Sequence, residues 1–385
     1  MQKFVYEYAT KVYFGEGAAR EHLAEAVSGY GKNVMLAYGG GSVKKNGIYD
    51  ELKTILENAG KTVTDFSGIM SNPTYAKVQE GAKLAKEQKI DFILAVGGGS
   101  VIDCCKIMAA QAKTDKDLWE MEMTEHQFPT EVLPMGAVVT ASGTGAEMNG
   151  GAVITNEEKI IKAGMAAAAP RFAILDPEYT MSLPHMQVIS GAFDTLSHAM
   201  ETYFGNSDQD NVSDDVALAI MRNTVVNMRR LLKNINDIQA RSNLMWIATW
   251  ALNTLVAQGK DTDWMVHMIG QSVGAYTDAT HGMTLSAVSL PYYRYVMPYG
   301  LHQFKKFAVN VWGVRPEGKT DEAIAQEGLA AMEDWMKEMG LVLHLAELGV
   351  TEDMLDGIAK GSFIMEGGYK VLTHQEIVDI LRQSL

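Results

Sequence analysis

Residues 91–108 have the sequence DFILAVGGGSVIDCCKIM, in which an apolar run is followed by three glycines, a serine and a second apolar segment. The run at 91–96 has the length and content of a buried strand, and residues 101–112 have helical periodicity. A glycine corner between a strand and a helix presents backbone N–H groups and the positive end of the helix dipole, both of which attract anions. The stretch therefore predicts an α/β fold with an anion-binding corner.

The first half of the chain repeats this layout. The five residues GGGSV occur at 39–43 and again at 97–101, each time after a strand candidate and before a helix. Alternation of strands and helices favours a Rossmann-like parallel sheet, and we predict an α/β nucleotide-binding domain over residues 1–185. The strand candidates are 33–38, 62–66, 91–96, 135–140, 151–155 and 172–175, and the helix candidates among them are 18–28, 47–59, 73–88 and 101–112.

The second half has a different texture, with helical periodicity almost throughout. We predict an all-α domain over residues 186–385. Since ligand sites often lie between domains, the cleft between the two halves is the expected place of function. The helix candidates are 185–204, 213–232, 237–258, 263–278, 322–339 and 374–385.

The composition narrows the classes of partner. The chain has 385 residues, with 33 basic and 47 acidic side chains and a net charge of −14. This charge repels phosphate backbones and anionic lipids, so neither nucleic acid nor a membrane is an expected partner. No apolar run approaches the roughly 20 residues of a membrane span, and no signal peptide is recognisable. The two cysteines, Cys104 and Cys105, are adjacent and form no disulfide framework, and we predict a cytoplasmic protein.

One carboxylate and three histidines in the second half form a candidate metal site. Asp194 and His198 are four residues apart in GAFDTLSHAMETYF, which places both on one helix face. His267 lies within a predicted helix, and His281 lies in the loop-like segment DATHGMTL. Such donors suit Fe(II), Zn(II) or Mn(II) and leave a position for substrate or water. Each histidine taken alone is more typical of a structural residue of the core or surface than of a metal ligand.

Taken in order, the motifs resemble those of a known family. They are the two GGGSV corners, Asn72-Pro73, TASGTGAE at 140–147, Lys162, LDPEYT at 175–180, GAFDTLSHAMETY at 191–203, and His267 followed by His281-Gly282. Together they are similar to the iron-containing, group III metal-dependent alcohol dehydrogenases, in particular the branch of butanol dehydrogenases and broad-range NADPH-dependent aldehyde reductases. The resemblance extends over essentially the whole chain.

The resemblance implies a dehydroquinate synthase-like architecture, in which metal and nicotinamide meet between an α/β and a helical domain. It implies that Asp194, His198, His267 and His281 hold one divalent ion, Fe2+ or Zn2+, and act in catalysis through it, and that the protein is a homodimer. Residues 97–100 with Asp103 match the pyrophosphate loop, and Lys162 matches a lysine that reaches a ribose. The positions that match cofactor contacts or their neighbours are Gly39, Gly40, Ser42, Asn72, Gly97, Gly98, Gly99, Ser100, Asp103, Thr140, Thr144, Asn149, Lys162, Tyr179 and Leu183.

The leading functional hypothesis is an NAD(P)-dependent alcohol dehydrogenase or aldehyde reductase that acts on short- to medium-chain primary alcohols or aldehydes. The alternative is a metal- and nicotinamide-dependent lyase of the dehydroquinate synthase type, which needs a basic cluster around a phosphorylated substrate. Residues 242–290 contain Lys260 as their only basic residue besides histidine, which favours an uncharged substrate. A third hypothesis is a binder of metal or nucleotide without catalysis.

Two further expectations concern the cofactor and proton transfer. Sites selective for NAD place a carboxylate at the adenosine ribose, whereas Tyr38 is followed by glycines, Ser42, Lys44 and Lys45. We therefore expect NADP(H) rather than NAD(H). One turn after His267, where many relatives carry a second histidine, this chain has Gln271, which cannot titrate.

Overall fold

The structure, a computed structural model, describes residues 1–129, 131–206 and 210–385. The chain forms two compact units, one of Glu7–Pro184 and one of Met1–Tyr6 together with His185–Leu385. We predicted that residues 1–6 belong to the α/β domain, but they group with the helical unit. There the Gln2 N–H donates to the Gly259 carbonyl at 2.8 Å.

The α/β unit is built on a parallel sheet, as predicted, and this sheet has six strands. All neighbouring strands pair in parallel, and the strand order is β1-β8-β5-β4-β2-β3. The strands of this sheet are β1 (Lys11–Phe14), β2 (Asn33–Tyr38), β3 (Thr62–Phe66), β4 (Phe92–Gly97), β5 (Met135–Val139) and β8 (Phe172–Leu175). The helices of the unit are α1 (Ala18–Ser28), α2 (Ser42–Lys45), α3 (Ile48–Asn58), α4 (Tyr75–Glu87), α5 (Gly99–Gln111) and α6 (Leu118–Met123).

Strand β4 lies in the middle of the α/β unit. Every residue of FILAVG is buried, as expected for a central strand covered by helices on both faces. Phe92 and Leu94 point into the cluster that includes α1 and α3, while α4 and α5 pack against each other elsewhere in the unit. Strands β2 and β4 are neighbours in the sheet. The strand that follows β2 in the sequence, β3, lies on the outer side of β2, and the strand that follows β4, β5, lies on the outer side of β4. The strand order therefore reverses between β2 and β4, and at such a switch point α/β sheets bind ligands.

Several parts of this unit differ from expectation, including the short helices α2 and α6, which no helix candidate covers. The strand predicted at 151–155 exists as β6 (Gly151–Asn156), but it pairs antiparallel with β7 (Ile161–Ala166) in a separate two-stranded sheet. Strands β1 and β7 were not predicted from the sequence. The hairpin packs against α5 and does not extend the main sheet.

The second unit is helical, as predicted. His281, expected in a loop, is the first residue of helix α11, which continues through Pro291. The helices are α7 (His185–Tyr203), α8 (Val212–Lys233), α9 (Ile238–Leu252), α10 (Met265–Thr277), α11 (His281–Val296), α12 (Leu301–Trp312), α13 (Asp321–Met339), α14 (Leu355–Gly361) and α15 (His374–Gln383). In the described part of the chain, none of the helices has both the length and the apolar content that crossing a bilayer requires.

Candidate metal centre and cofactor corners

The four predicted metal ligands meet in the helical unit. Asp194 and His198 lie one turn apart on α7, His267 lies in the first turn of α10, and His281 begins α11. The Nε2 atoms of His198, His267 and His281 lie 3.5, 3.4 and 3.5 Å from Asp194 Oδ1. Three imidazole nitrogens thus converge on one carboxylate oxygen.

The imidazoles are held in a fixed arrangement by aromatic contacts. The rings of His198 and His267 stack with centroids 4.6 Å apart, and the rings of His267 and His281 meet edge to face at 5.3 Å. The Trp264 indole lies 5.3 Å from the His267 ring and 6.0 Å from the His198 ring. Asp194, His198 and His267 are buried, whereas the His281 side chain is 27% exposed, so solvent or a ligand approaches the cluster beside His281.

Charge shifts the pKa values of this cluster in opposite directions. Burial alone would raise the pKa of Asp194, but the charges of His198 and His281 and the contact with His267 hold it below its usual range. Burial alone would lower the pKa of His267, but the Glu201 carboxylate and Asp194 raise it to about 9. The buried carboxylates therefore attract positive charge, which either protons or a metal ion can supply.

The donors fit a divalent metal. Asp194 Oδ1 and His267 Nε2 are buried, and neither has a hydrogen-bond partner among the residues that the structure describes. Asp194, His267 and His281 each offer one ligand atom within 4.8 Å of the others, and His198 Nε2 joins them at Asp194. One carboxylate oxygen and imidazole nitrogens are the donors that Fe2+ and Zn2+ accept.

Glu201 is the residue of this cluster that the sequence reasoning missed. Its carboxylate bonds to His267 Nδ1 and also accepts the His267 backbone N–H at 3.1 Å. Glu201 follows Asp194 by seven residues and His198 by three, so all three lie on one face of α7. A lone acid in the otherwise apolar stretch around HAMETYF was the available signal.

The three glycine tracts lie at the carboxyl ends of adjacent strands. We call residues 39–42 the first corner, 97–100 the second corner and 140–145 the third tract; they follow β2, β4 and β5. The second corner and the third tract are in close contact, because a Cβ atom on Gly98 would lie 3.0 Å from the Ala141 methyl group. The Thr140 N–H donates to the Gly97 carbonyl at 3.0 Å.

The segment at 68–72 lies over both corners. The Gly68 N–H donates to the Gly39 carbonyl at 3.0 Å, and the Ser100 hydroxyl donates to the Ser71 carbonyl. Asn72 Oδ1 accepts a hydrogen bond from Lys162 on β7 at 2.8 Å. The Ser100 hydroxyl hydrogen is therefore engaged within the protein, and backbone N–H groups are left as the main anion donors of the second corner.

Asp103 and Asn149, both predicted near the cofactor, join α5 to the β6 hairpin. Asp103 accepts the Val153 N–H at 2.9 Å and lies 3.7 Å from the fully buried Lys106 Nζ. Lys106 donates to Asn149 Oδ1 at 3.0 Å and to the Gly151 carbonyl at 2.6 Å. This network fixes the hairpin that carries Lys162 relative to the helix that begins at the second corner.

Tyr179 and Leu183 follow β8, across β5 from the first two corners. The Tyr179 ring is buried with α1 and α3, and its hydroxyl donates to Glu51 at 3.1 Å. Burial raises the pKa of Tyr179 far above its usual value. The Tyr179 ring therefore packs in the core, and its place beside the cofactor, like that of Leu183, stays a prediction.

Comparison with known proteins identifies the class. The family model "Iron-containing alcohol dehydrogenase" matches residues 9–177, and "Fe-containing alcohol dehydrogenase family, C-terminal" matches residues 188–385. The chain belongs to the iron-containing alcohol dehydrogenase family. It is an oxidoreductase that uses a nicotinamide cofactor and a metal, and the lyase alternative is not favoured.

Individual relatives match along their full lengths. The chain is 38% identical to the probable NADH-dependent butanol dehydrogenase 1 of Bacillus subtilis, over 100% of both chains. It is 34% identical to the NADPH-dependent aldehyde reductase YqhD of Escherichia coli, over 94% of this chain and 92% of that one. The crystal structure of NADH-dependent butanol dehydrogenase A from Thermotoga maritima superposes with a TM-score of 0.94 at 34% identity, covering 100% of this chain and 99% of that one.

Proposed function

We propose that Asp194, His198, His267 and His281 bind one Fe2+ or Zn2+ ion for the reduction of short- to medium-chain aldehydes and the oxidation of the corresponding primary alcohols. The convergence of three Nε2 atoms on Asp194 Oδ1, each within 3.5 Å, is the observation that carries this proposal. When bound, the metal supplies Lewis-acid polarisation of the substrate oxygen, and the nicotinamide supplies or accepts the hydride.

The surrounding side chains favour an uncharged substrate. Lys260, the only basic residue besides histidine in residues 242–290, is buried and pairs with Asp214. It also donates to the Tyr203 carbonyl at 3.3 Å. Since this lysine is committed to the protein, it cannot bind a substrate phosphate. Trp264 beside the imidazoles excludes water and offers an apolar surface to an alkyl chain.

The glycine corners and the third tract are the proposed cofactor site, with NADP(H) preferred over NAD(H). The first corner carries no carboxylate, and the one acid of β3, Asp65, accepts the Tyr49 hydroxyl at 2.8 Å. Lys44 lies over the Tyr38 and Tyr49 rings, with its Nζ 5.2 and 4.4 Å from their centroids. Positive charge without a competing carboxylate supports a 2′-phosphate here, and relatives named for either cofactor exist.

A homodimer is the proposed assembly. Strand β1 lies at the edge of the sheet and, within the described residues, pairs only with β8. Just before it, Val5 is 95% exposed and Phe4 50% exposed. An open strand edge and exposed apolar side chains each favour pairing with a second copy. Light scattering on the purified protein tests this, and a monomer at all concentrations would contradict it.

A cytoplasmic location stays a prediction from the sequence. The thiols of Cys104 and Cys105 are both free and buried, in agreement with a reducing compartment.

A substrate panel tests the proposed reaction. Protein reconstituted with Fe2+ or Zn2+ is assayed with straight-chain aldehydes of two to six carbons and with methylglyoxal, using NADPH and NADH in parallel. We expect metal-dependent turnover that is faster with NADPH. Binding of nucleotide without turnover of any aldehyde would support the non-catalytic hypothesis instead.

A further inference from the structure

Glu201 lies behind the proposed metal centre and not in it. Its side chain is fully buried, and it projects from the same face of α7 as Asp194 and His198. Within the described residues it contacts the ligand His267 on the ring edge opposite the nitrogen that faces Asp194. Burial of a charged group costs folding free energy unless the group is paired and hydrogen-bonded.

The two contacts of this carboxylate fix one residue. Glu201 Oε1 accepts the His267 backbone N–H at 3.1 Å, and Oε2 bonds to His267 Nδ1. Backbone and ring are thereby held by one carboxylate, which restricts rotation of the His267 side chain. The His267 Nε2 atom is left directed at Asp194 Oδ1, 3.4 Å away.

The carboxylate also determines which nitrogen carries the proton. A carboxylate accepts hydrogen bonds, so it stabilises the tautomer with hydrogen on Nδ1 and leaves the Nε2 lone pair for a metal. We propose that Glu201 is a positioning residue that orients His267 and selects its metal-binding tautomer. This inference rests on the proposed metal centre and adds to it the residue that prepares His267 for binding.

The test compares metal affinity in four proteins: the wild type, Glu201→Gln, Asp263→Asn and His267→Ala. Each is stripped of metal and titrated with Zn2+ against a competing chelator, and its folding is checked by circular dichroism and thermal unfolding. We expect Glu201→Gln to fold but to bind Zn2+ about 10- to 100-fold more weakly, as is typical when the outer partner of a ligating histidine is lost.

Asp263→Asn is the matched control. Asp263 is a second buried carboxylate close to Glu201, but its hydrogen-bond partner is the Tyr292 hydroxyl and not a metal ligand. Burial raises the pKa of Asp263 to about 7, so the titrations are run above that pH, where Asp263→Asn removes a charge near Glu201. The substitution changes no contact to His267, and we expect its Zn2+ affinity to stay near that of the wild type. Equal weakening in both variants would show a general charge effect and overturn the positioning role.

His267→Ala separates this inference from the proposed function. If His267→Ala keeps a full equivalent of metal, the metal centre itself is wrong. If His267→Ala loses the metal while Glu201→Gln binds as tightly as the wild type, the centre stands and the role of Glu201 is refuted.

A measurement on the unaltered protein covers the case in which Glu201→Gln does not fold. In the zinc-loaded wild type with isotope-labelled histidine, NMR should show His267 protonated at Nδ1 and bound to metal through Nε2. Metal bound at Nδ1 would refute the inference without any substitution.

Discussion

A methyl group at Gly99 would lie 2.4 Å from both Cγ2 and Oγ1 of Thr144, so these two residues fit together only because one of them has no side chain. Gly99 of the second corner and Thr144 of the third tract, which are 45 residues apart in the sequence, are thus matched in shape. Gly99 begins α5, whose N-terminus belongs to the proposed cofactor site.

Gly99→Ala should therefore destabilise the protein by about 1–3 kcal/mol, as is typical of overpacking a tight contact, and should weaken NADPH binding. Chemical denaturation and a fluorescence titration measure the two effects. Gly40→Ala is the stability control, since a Cβ atom there would meet nothing within 4 Å. Thr144→Gly combined with Gly99→Ala should recover part of the lost stability, and strictly additive losses would contradict the proposed clash.

Metal affinity should rise with pH. The pKa of His267 is raised to about 9, so in the metal-free protein the ring is an imidazolium with a proton on each nitrogen. A metal must displace the Nε2 proton to bind there. Asp194, with its lowered pKa, stays ionised and adds no dependence. Chelator competition between about pH 6.5, the ordinary histidine value, and about pH 9 should show tighter Zn2+ binding at the upper end.

Protonation of His267 has the opposite effect on the stability of the metal-free protein, which should fall as the pH rises. A pKa raised by folding stabilises the metal-free protein below about pH 6.5, and this contribution is lost as the pH rises to about 9. The increase in melting temperature on adding Zn2+ should therefore be larger at the alkaline end of this window. A metal effect that is independent of pH would show that His267 is neutral in the metal-free state.

Gly39→Asp should shift the cofactor preference from NADPH towards NADH. A carboxylate at this position would repel a 2′-phosphate and accept a hydrogen bond from a ribose hydroxyl. A Cβ atom at residue 39 would lie 3.2 Å from the Ile69 carbonyl, so a small local shift accompanies any side chain. Gly39→Asn has the same size without the charge and serves as control; we expect the NADPH to NADH ratio of kcat/KM to fall at least about tenfold further in Gly39→Asp, equivalent to about 1.4 kcal/mol. A preference of the wild-type protein for NADH would refute the proposed NADP(H) selectivity.

Gln271→His should add an ionisation to the pH profile of aldehyde reduction. Gln271 is buried on α10, one turn after His267, and a glutamine neither gains nor loses a proton in this range. An introduced imidazole would titrate near its reference value of about 6.5, or lower if burial dominates. Gln271→Leu is the non-titrating control. An unchanged profile in Gln271→His, with metal and cofactor affinity retained, would show that residue 271 takes no part in proton transfer.

Much of the fold was predictable because single stretches carried strong local signals. Strands β2, β3 and β8 begin and end at the predicted residues, and the parallel pairing of β2 with β3 and β4 followed from the helices between them. Strand β1 escaped prediction because its four residues, KVYF, include only one buried side chain. The hairpin of β6 and β7 could be located in part, but its separation from the main sheet depends on the Lys106 contacts with Asn149 and Gly151, which link distant positions.

The metal cluster, in contrast, could be predicted only in part from local sequence signals. Asp194 and His198 share a local helix face, but His267 and His281 reach them only through the packing of α10 and α11 on α7, which spacing alone cannot reveal. The family resemblance supplied those two residues. His281 was placed in a loop because Asp278, Thr280 and Gly282 are typical loop residues, yet α11 begins there. Glu201 was missed because its role depends on a partner 66 positions away.

The assignment of Met1–Tyr6 to the helical unit has a consequence for synthesis on the ribosome. These residues are synthesised before Glu7–Pro184, but the carbonyl of Gly259 that accepts the Gln2 N–H is made only after the whole of that unit. Since chains fold vectorially and domains fold as units, the α/β unit can be complete while the first six residues still wait for their partner. A segment made before the α/β unit thus docks only after that unit has folded.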